Sequence, residues 1–117
     1  MLIEVRKLIF SDDLLQRALL KQCASQGIEV PNSQIQKVKV FGAGDAEGPI
    51  KIILQFVTAN PDKPHEVTLN EEVTLTALIM MCKRFSVPLP RSAAKKLQLT
   101  NQGLAMVVSM SMAEPVN

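Results

Sequence analysis

TLNEEVTLTALIMMCKRFSVPLPRSAAKKL, residues 68–97, joins the most apolar helical segment of the chain, a double-proline connector and the densest group of basic residues. Two helix starts are available: Asn70 as N-cap, or Thr68 with Glu71 as a capping box. Either places Glu71 and Glu72 in the first turn and Lys83 and Arg84 in the last, both complementing the helix dipole. Between them Val73, Leu75, Ala77, Leu78, Ile79, Met80, Met81 and Cys82 point in nearly every direction around the axis. A helix apolar all round is a buried one. Its cover would be a sheet on one side and, on the other, the first helix or a partner subunit. Met80 and Met81 read as gap-filling core in preference to an adaptable binding surface.

Pro88 and Pro90 disfavour helix at Val87 and Leu89, so Ser86–Pro90 reads as an extended connector. Pro90 can open a short helix, Pro90–Lys96, because its missing N–H costs nothing at a first helical position. That helix would turn Ala93, Ala94 and Leu97 inward and Arg91, Lys95 and Lys96 outward. With Lys83 and Arg84, five cations fall in this stretch with no acidic residue among them. They are the candidate contacts for an anion or nucleic acid, since Lys and Arg neutralise phosphates. Against that stands the aromatic content: Phe85 alone lies in the cluster, and the chain has no Trp or Tyr for stacking on bases. A solvated basic face is the favoured reading of the cluster.

Working outward, Leu2–Phe10 is a strand with Leu2, Leu8 and Phe10 on one face and Ile3, Val5 and Ile9 on the other. A strand apolar on both faces belongs inside a sheet or at a subunit contact. Ser11 is the N-cap of a helix with Asp12 and Asp13 in its first turn. Leu15, Ala18, Leu19, Gln22 and Cys23 form its inner face, and Gly27 ends it. Ile35–Phe41 suggests a second strand, and the following GAGDAEGP reads as a loop. Its Gly42, Gly44 and Gly48 are spaced GxGxxxG, with Asp45 and Glu47 between, so it is not a dinucleotide-binding turn. Ile50–Val57 is the strongest strand, His65–Leu69 a short one, and Leu97–Leu99, Thr100–Gly103 and Leu104–Met110 form a closing hairpin.

At 117 residues the chain fits one domain, here 1–112, with 113–117 as a flexible tail. The expected class is α+β, a mainly antiparallel sheet with two principal helices packed on one face. The 13 basic and 11 acidic residues leave a net charge of +2, too weak to imply a nucleic-acid or membrane partner. Val73–Cys82, the longest uncharged apolar run, is about half of the ~20 residues a membrane span needs. Cys23 and Cys82 are too far apart in sequence for a CxxC pair and read as reduced core residues, which points to the cytoplasm. His65, the single histidine, has no nucleophile or second ligand at a useful spacing.

The helix ending in Cys82-Lys83-Arg84, the segment Val87-Pro88-Leu89-Pro90-Arg91 and the pattern Ala93-x-Lys95-x-Leu97 resemble small bacterial proteins of unknown function. So does Phe10-Ser11-x-x-Leu14-x-x-x-Ala18-Leu19 with Cys23. The resemblance implies a bacterial, cytoplasmic setting and carries over no activity and no functional residue. The expectation is a non-enzymatic protein-interaction module without metal or cofactor. It would bind itself as a homodimer or another protein; nucleic-acid or anionic-ligand binding through Lys83, Arg84, Arg91, Lys95 and Lys96 is the alternative.

Overall fold

Both helices are the crossings by which the chain leaves one sheet and returns to it. A computed structural model describes residues 1–42 and 49–113. It runs β1 (Leu2–Phe10), α1 (Asp12–Gln26), β2 (Ile35–Phe41), β3 (Lys51–Phe56), β4 (His65–Leu69), α2 (Glu71–Arg84), β5 (Ala94–Thr100) and β6 (Gly103–Met112). The strands form two three-stranded antiparallel sheets, in the orders β1-β6-β5 and β2-β3-β4. The α+β class and the antiparallel pairing are as the sequence implies, but the strands divide into two sheets. Most of the GAGDAEGP loop (Gly44, Asp45, Glu47 and Gly48) and all of the tail beyond Ala113 lie outside the described residues.

α1 begins where Ser11 Oγ accepts the Leu14 N–H at 3.3 Å and ends at Gly27, whose φ of +70° is left-handed. Ile28 N–H then donates back to the Cys23 carbonyl at 2.8 Å, closing the last turn. In α2 the N-cap is Asn70, whose Oδ1 accepts the Val73 N–H at 2.8 Å. Glu71 makes no capping box: its Oε2 accepts the Ile50 N–H at 2.9 Å and anchors the start of β3.

α1 and α2 pack on each other and on the inner faces of both sheets, giving one core. It gathers Leu15, Leu19 and Cys23 from α1, and Leu78, Met81 and Cys82 from α2. Ile52, Leu54 and Phe56 come from one sheet and Phe10, Leu104 and Met106 from the other. α2 is not enclosed on every side, because Met80 is exposed. Thr74 takes a core position instead, fully buried, its hydroxyl donating to the Asn70 carbonyl at 2.9 Å.

The short helix expected at Pro90–Lys96 does not form. Ala93 N–H donates to the Pro90 carbonyl at 3.1 Å, making a single turn, and β5 starts at Ala94. A one-turn helix cannot meet its own nucleation cost. Pairing Lys95, Leu97 and Leu99 with Val108, Met106 and Leu104 satisfies the backbone and buries Leu97.

Candidate functional site

Strand β1 lies at the edge of its sheet, paired only to β6. Of the two places that suit a strand apolar on both faces, the interior of a sheet is therefore excluded. Phe10 is buried in the core, Leu8 packs against it, and Arg6 is half-buried on the same face. The rest of the strand is open. Leu2 is 66% exposed and Ile3 and Val5 61% each, with Ile9 also exposed.

The register shows why this end is bare. β5 runs along β6 only as far as the Ala94–Ser109 pair, whereas β1 and β6 continue to Leu2–Met112. Leu2–Glu4 and Met110–Met112 thus make a two-stranded ribbon beyond the third strand. Such a ribbon is marginal by itself in water. On the outer face of this sheet Ile3, Val5, Lys7 and Ile9 stand opposite Ser111, Ser109, Val107 and Ala105, and Lys96 of β5 stands opposite Val107. The result is an apolar row with lysines beside it.

Where β1 meets the end of α2, a groove of about 270 Å³ is walled by Leu8, Phe10, Leu14, Cys82, Phe85 and Val87. Phe85 is 60% exposed at its rim. Arg6 Nη2 donates to the Pro88 carbonyl at 3.2 Å, tying the strand to the connector that follows α2. Burial pushes the Cys82 thiol up from its ordinary 9.0, and the positive charge of Arg6 draws it partly back. Burial alone pushes Cys23 up. Both thiols are free and buried, which suits inert core residues and not nucleophiles.

The five cations of the basic stretch do not act as one helix face. Lys83 and Arg84 are exposed at the end of α2, and Arg91 is exposed in the turn. Lys95 and Lys96 take opposite faces of β5. The Lys95 ammonium closes the turn before it, donating to the carbonyls of Pro90 at 3.3 Å and Ala93 at 3.1 Å. The strand that replaces the short helix is the cause of this separation.

A different basic face emerges on the second sheet. Lys37, Lys39 and Phe41 of β2 share the outer side with Lys51 of β3, because Phe41 pairs with Lys51 and Lys39 with Ile53. The Lys51 ammonium lies 5.8 Å from the Phe41 ring centre. In sequence these residues are split by the glycine loop, and only the strand pairing brings them together. Alternate lysines at 37 and 39 were the available signal.

A polar cleft of about 560 Å³ lies between the start of α1, β2 and the β5–β6 hairpin, lined in part by Asp12, Gln16, Lys37, Thr100, Asn101 and Gln102. The Thr100 hydroxyl is already engaged, donating to the Gly103 carbonyl at 2.6 Å and accepting the Gln102 N–H at 3.2 Å. His65 is exposed at the start of β4, opposite Phe56. Among the described residues no group of three or more His, Cys, Asp and Glu side chains is placed to hold a metal, and no helix is long and apolar enough to cross a membrane. No family model matches the chain, and neither does any curated protein or any solved structure.

Proposed function

We propose that the chain is a non-enzymatic interaction module that joins a second copy of itself through the free edge of β1. The observation that carries this reading is the exposure of Leu2, Ile3 and Val5 on a strand with one unpaired edge. An unpaired edge offers a row of N–H and C=O groups to another strand, and side chains apolar on both faces gain from being covered. Edge pairing is preferred over stacking of the two outer faces. Stacking would bury Lys7 and Lys96 from both copies, whereas pairing at the edge leaves them in water. Light scattering tests the reading: a mass twice 12.8 kDa is expected, falling towards 12.8 kDa only on dilution. A constant 12.8 kDa at millimolar concentration would end it.

A second reading, anionic-polymer binding, is favoured by the face carrying Lys37, Lys39, Lys51 and Phe41. Lysines spaced along a sheet can follow a phosphate backbone, and an aromatic ring can stack on a base. Lys83 and Arg84, exposed at the end of α2, would be a second contact. Binding of a single-stranded oligonucleotide at low salt, lost steeply as salt rises, would support this reading. No binding at low salt would end it.

A further inference from the structure

We infer that two copies pair β1 antiparallel to β1 in one register, with Val5 opposite Val5 on the two-fold axis and Glu4 opposite the partner's Arg6. This rests on the self-association proposed above and adds the geometry of the contact.

A closed dimer formed at a strand edge needs antiparallel strands related by a two-fold axis perpendicular to the sheet. Side chains alternate along a strand, so inner residues meet inner residues only when the axis passes through a residue. Centring on Ile3, Leu8 or either strand end overlaps less of β1 than centring on Val5 and forms no pair of opposite charges, and charge separates the remaining registers. Centring on Glu4 opposes two carboxylates, centring on Arg6 opposes two guanidiniums, and centring on Lys7 opposes two ammoniums. Like charges directly opposite are destabilising. Centring on Val5 opposes Glu4 to Arg6 twice, once on each side of the axis, and meets no like pair. Both residues lie on the inner face, as β1's alternation places them with Leu8 and Phe10.

Two further features fit the same register. Leu2 falls opposite the partner's Leu8, at the mouth of the apolar groove rimmed by Phe85, so an exposed leucine reaches apolar cover. The bare ribbon also gains its missing strand: Leu2–Glu4 lies along residues 6–8 of the partner, where that copy's own sheet is three strands wide. The product is one continuous six-stranded sheet, β5-β6-β1-β1-β6-β5. The intrachain approach of Arg6 Nε to Glu4 Oε1 at 3.9 Å is long and exposed, so the guanidinium can serve the partner's carboxylate while Nη2 stays on Pro88.

The test is a charge-reversal cycle read by sedimentation equilibrium: Glu4→Arg, Arg6→Glu and the double variant. Each single reversal places like charges opposite each other twice per dimer and should raise the dissociation constant by about tenfold or more. The double variant restores opposite charges and should return it to within about threefold of the parent. Because Arg6 also holds the Pro88 carbonyl, Leu2→Asp serves as a variant that spares this bond; it should weaken the dimer at least as much. Circular dichroism confirms that each variant is folded. A dimeric parent whose affinity is unchanged by Glu4→Arg and Leu2→Asp would overturn the register and leave self-association standing. So would folded single variants that weaken the dimer with no recovery in the double variant. A monomeric parent would overturn both.

Discussion

Arg6 and Pro88, 82 positions apart in the chain, are joined by a 3.2 Å hydrogen bond from guanidinium to carbonyl. The bond fastens the edge strand to the rigid exit of α2, and the same positive charge opposes the effect of burial on Cys82. Arg6→Gln should therefore lower stability modestly, by about 0.5–1 kcal/mol for an exposed hydrogen bond. It should also move the Cys82 thiol further up. Alkylation of Cys82 as a function of pH, followed by mass spectrometry, would read the second effect; an unchanged pH profile would contradict it.

α2 ends with Val87 N–H donating to the Cys82 carbonyl at 2.9 Å and Ser86 N–H to Lys83 at 3.1 Å. That closure puts Ser86 at φ +57°, the one described non-glycine residue with positive φ. A side chain there is strained, and glycine is the usual occupant. Ser86→Gly should stabilise the fold by about 0.5–1 kcal/mol after allowing for the greater freedom of glycine in the unfolded chain. Urea unfolding measures it, and a loss of stability would count against the left-handed closure.

Gly103 opens β6 at φ +131°, and a Cβ there would strike the Phe10 carbonyl backbone. Backbone at that point cannot yield without disturbing the β1–β6 pairing, which places Phe10 opposite Leu104. Gly103→Ala should cost more than about 2 kcal/mol, through strain and lost pairing together. A melting temperature equal to the parent's would contradict this.

Cys23 and Cys82 both have thiols raised above 9.0 by burial. The unfolded chain loses these protons first as pH rises, so the native state binds more protons than the unfolded state in that interval. Stability from these groups is complete below pH 9 and declines as pH passes from about 9 towards the raised native values. Chemical unfolding between pH 8 and 11 should show this decline. Cys23→Ala should lessen it while costing core packing at neutral pH.

How far the sequence could be read depends on whether the deciding contact is local. Ser11 and Gly27 bound α1 because a cap and a left-handed stop act within a few residues. Asn70 against Thr68 was undecidable locally, since Glu71 was claimed by the distant Ile50 N–H. Ala94–Leu97 carries good helix formers, yet it opens β5, because β6 supplies partners that a one-turn helix lacks. The same non-locality governs the candidate site. Leu2–Phe10 is recognisably apolar on two faces, but only the strand order makes it an edge. Lys37, Lys39 and Lys51 meet only through pairing across the glycine loop.

The most direct measurement is disulfide formation at single cysteines placed along the outward face of β1. The native thiols are buried, so mild oxidation reads the introduced ones. With the axis at Val5, Val5→Cys brings two thiols face to face, whereas Ile3→Cys separates them by four residues along the strands, about 13 Å. Ile9→Cys separates them further. A covalent dimer is expected from Val5→Cys and none from Ile3→Cys or Ile9→Cys. No covalent dimer from Val5→Cys, or equal yields at all three positions, would contradict an axis at Val5.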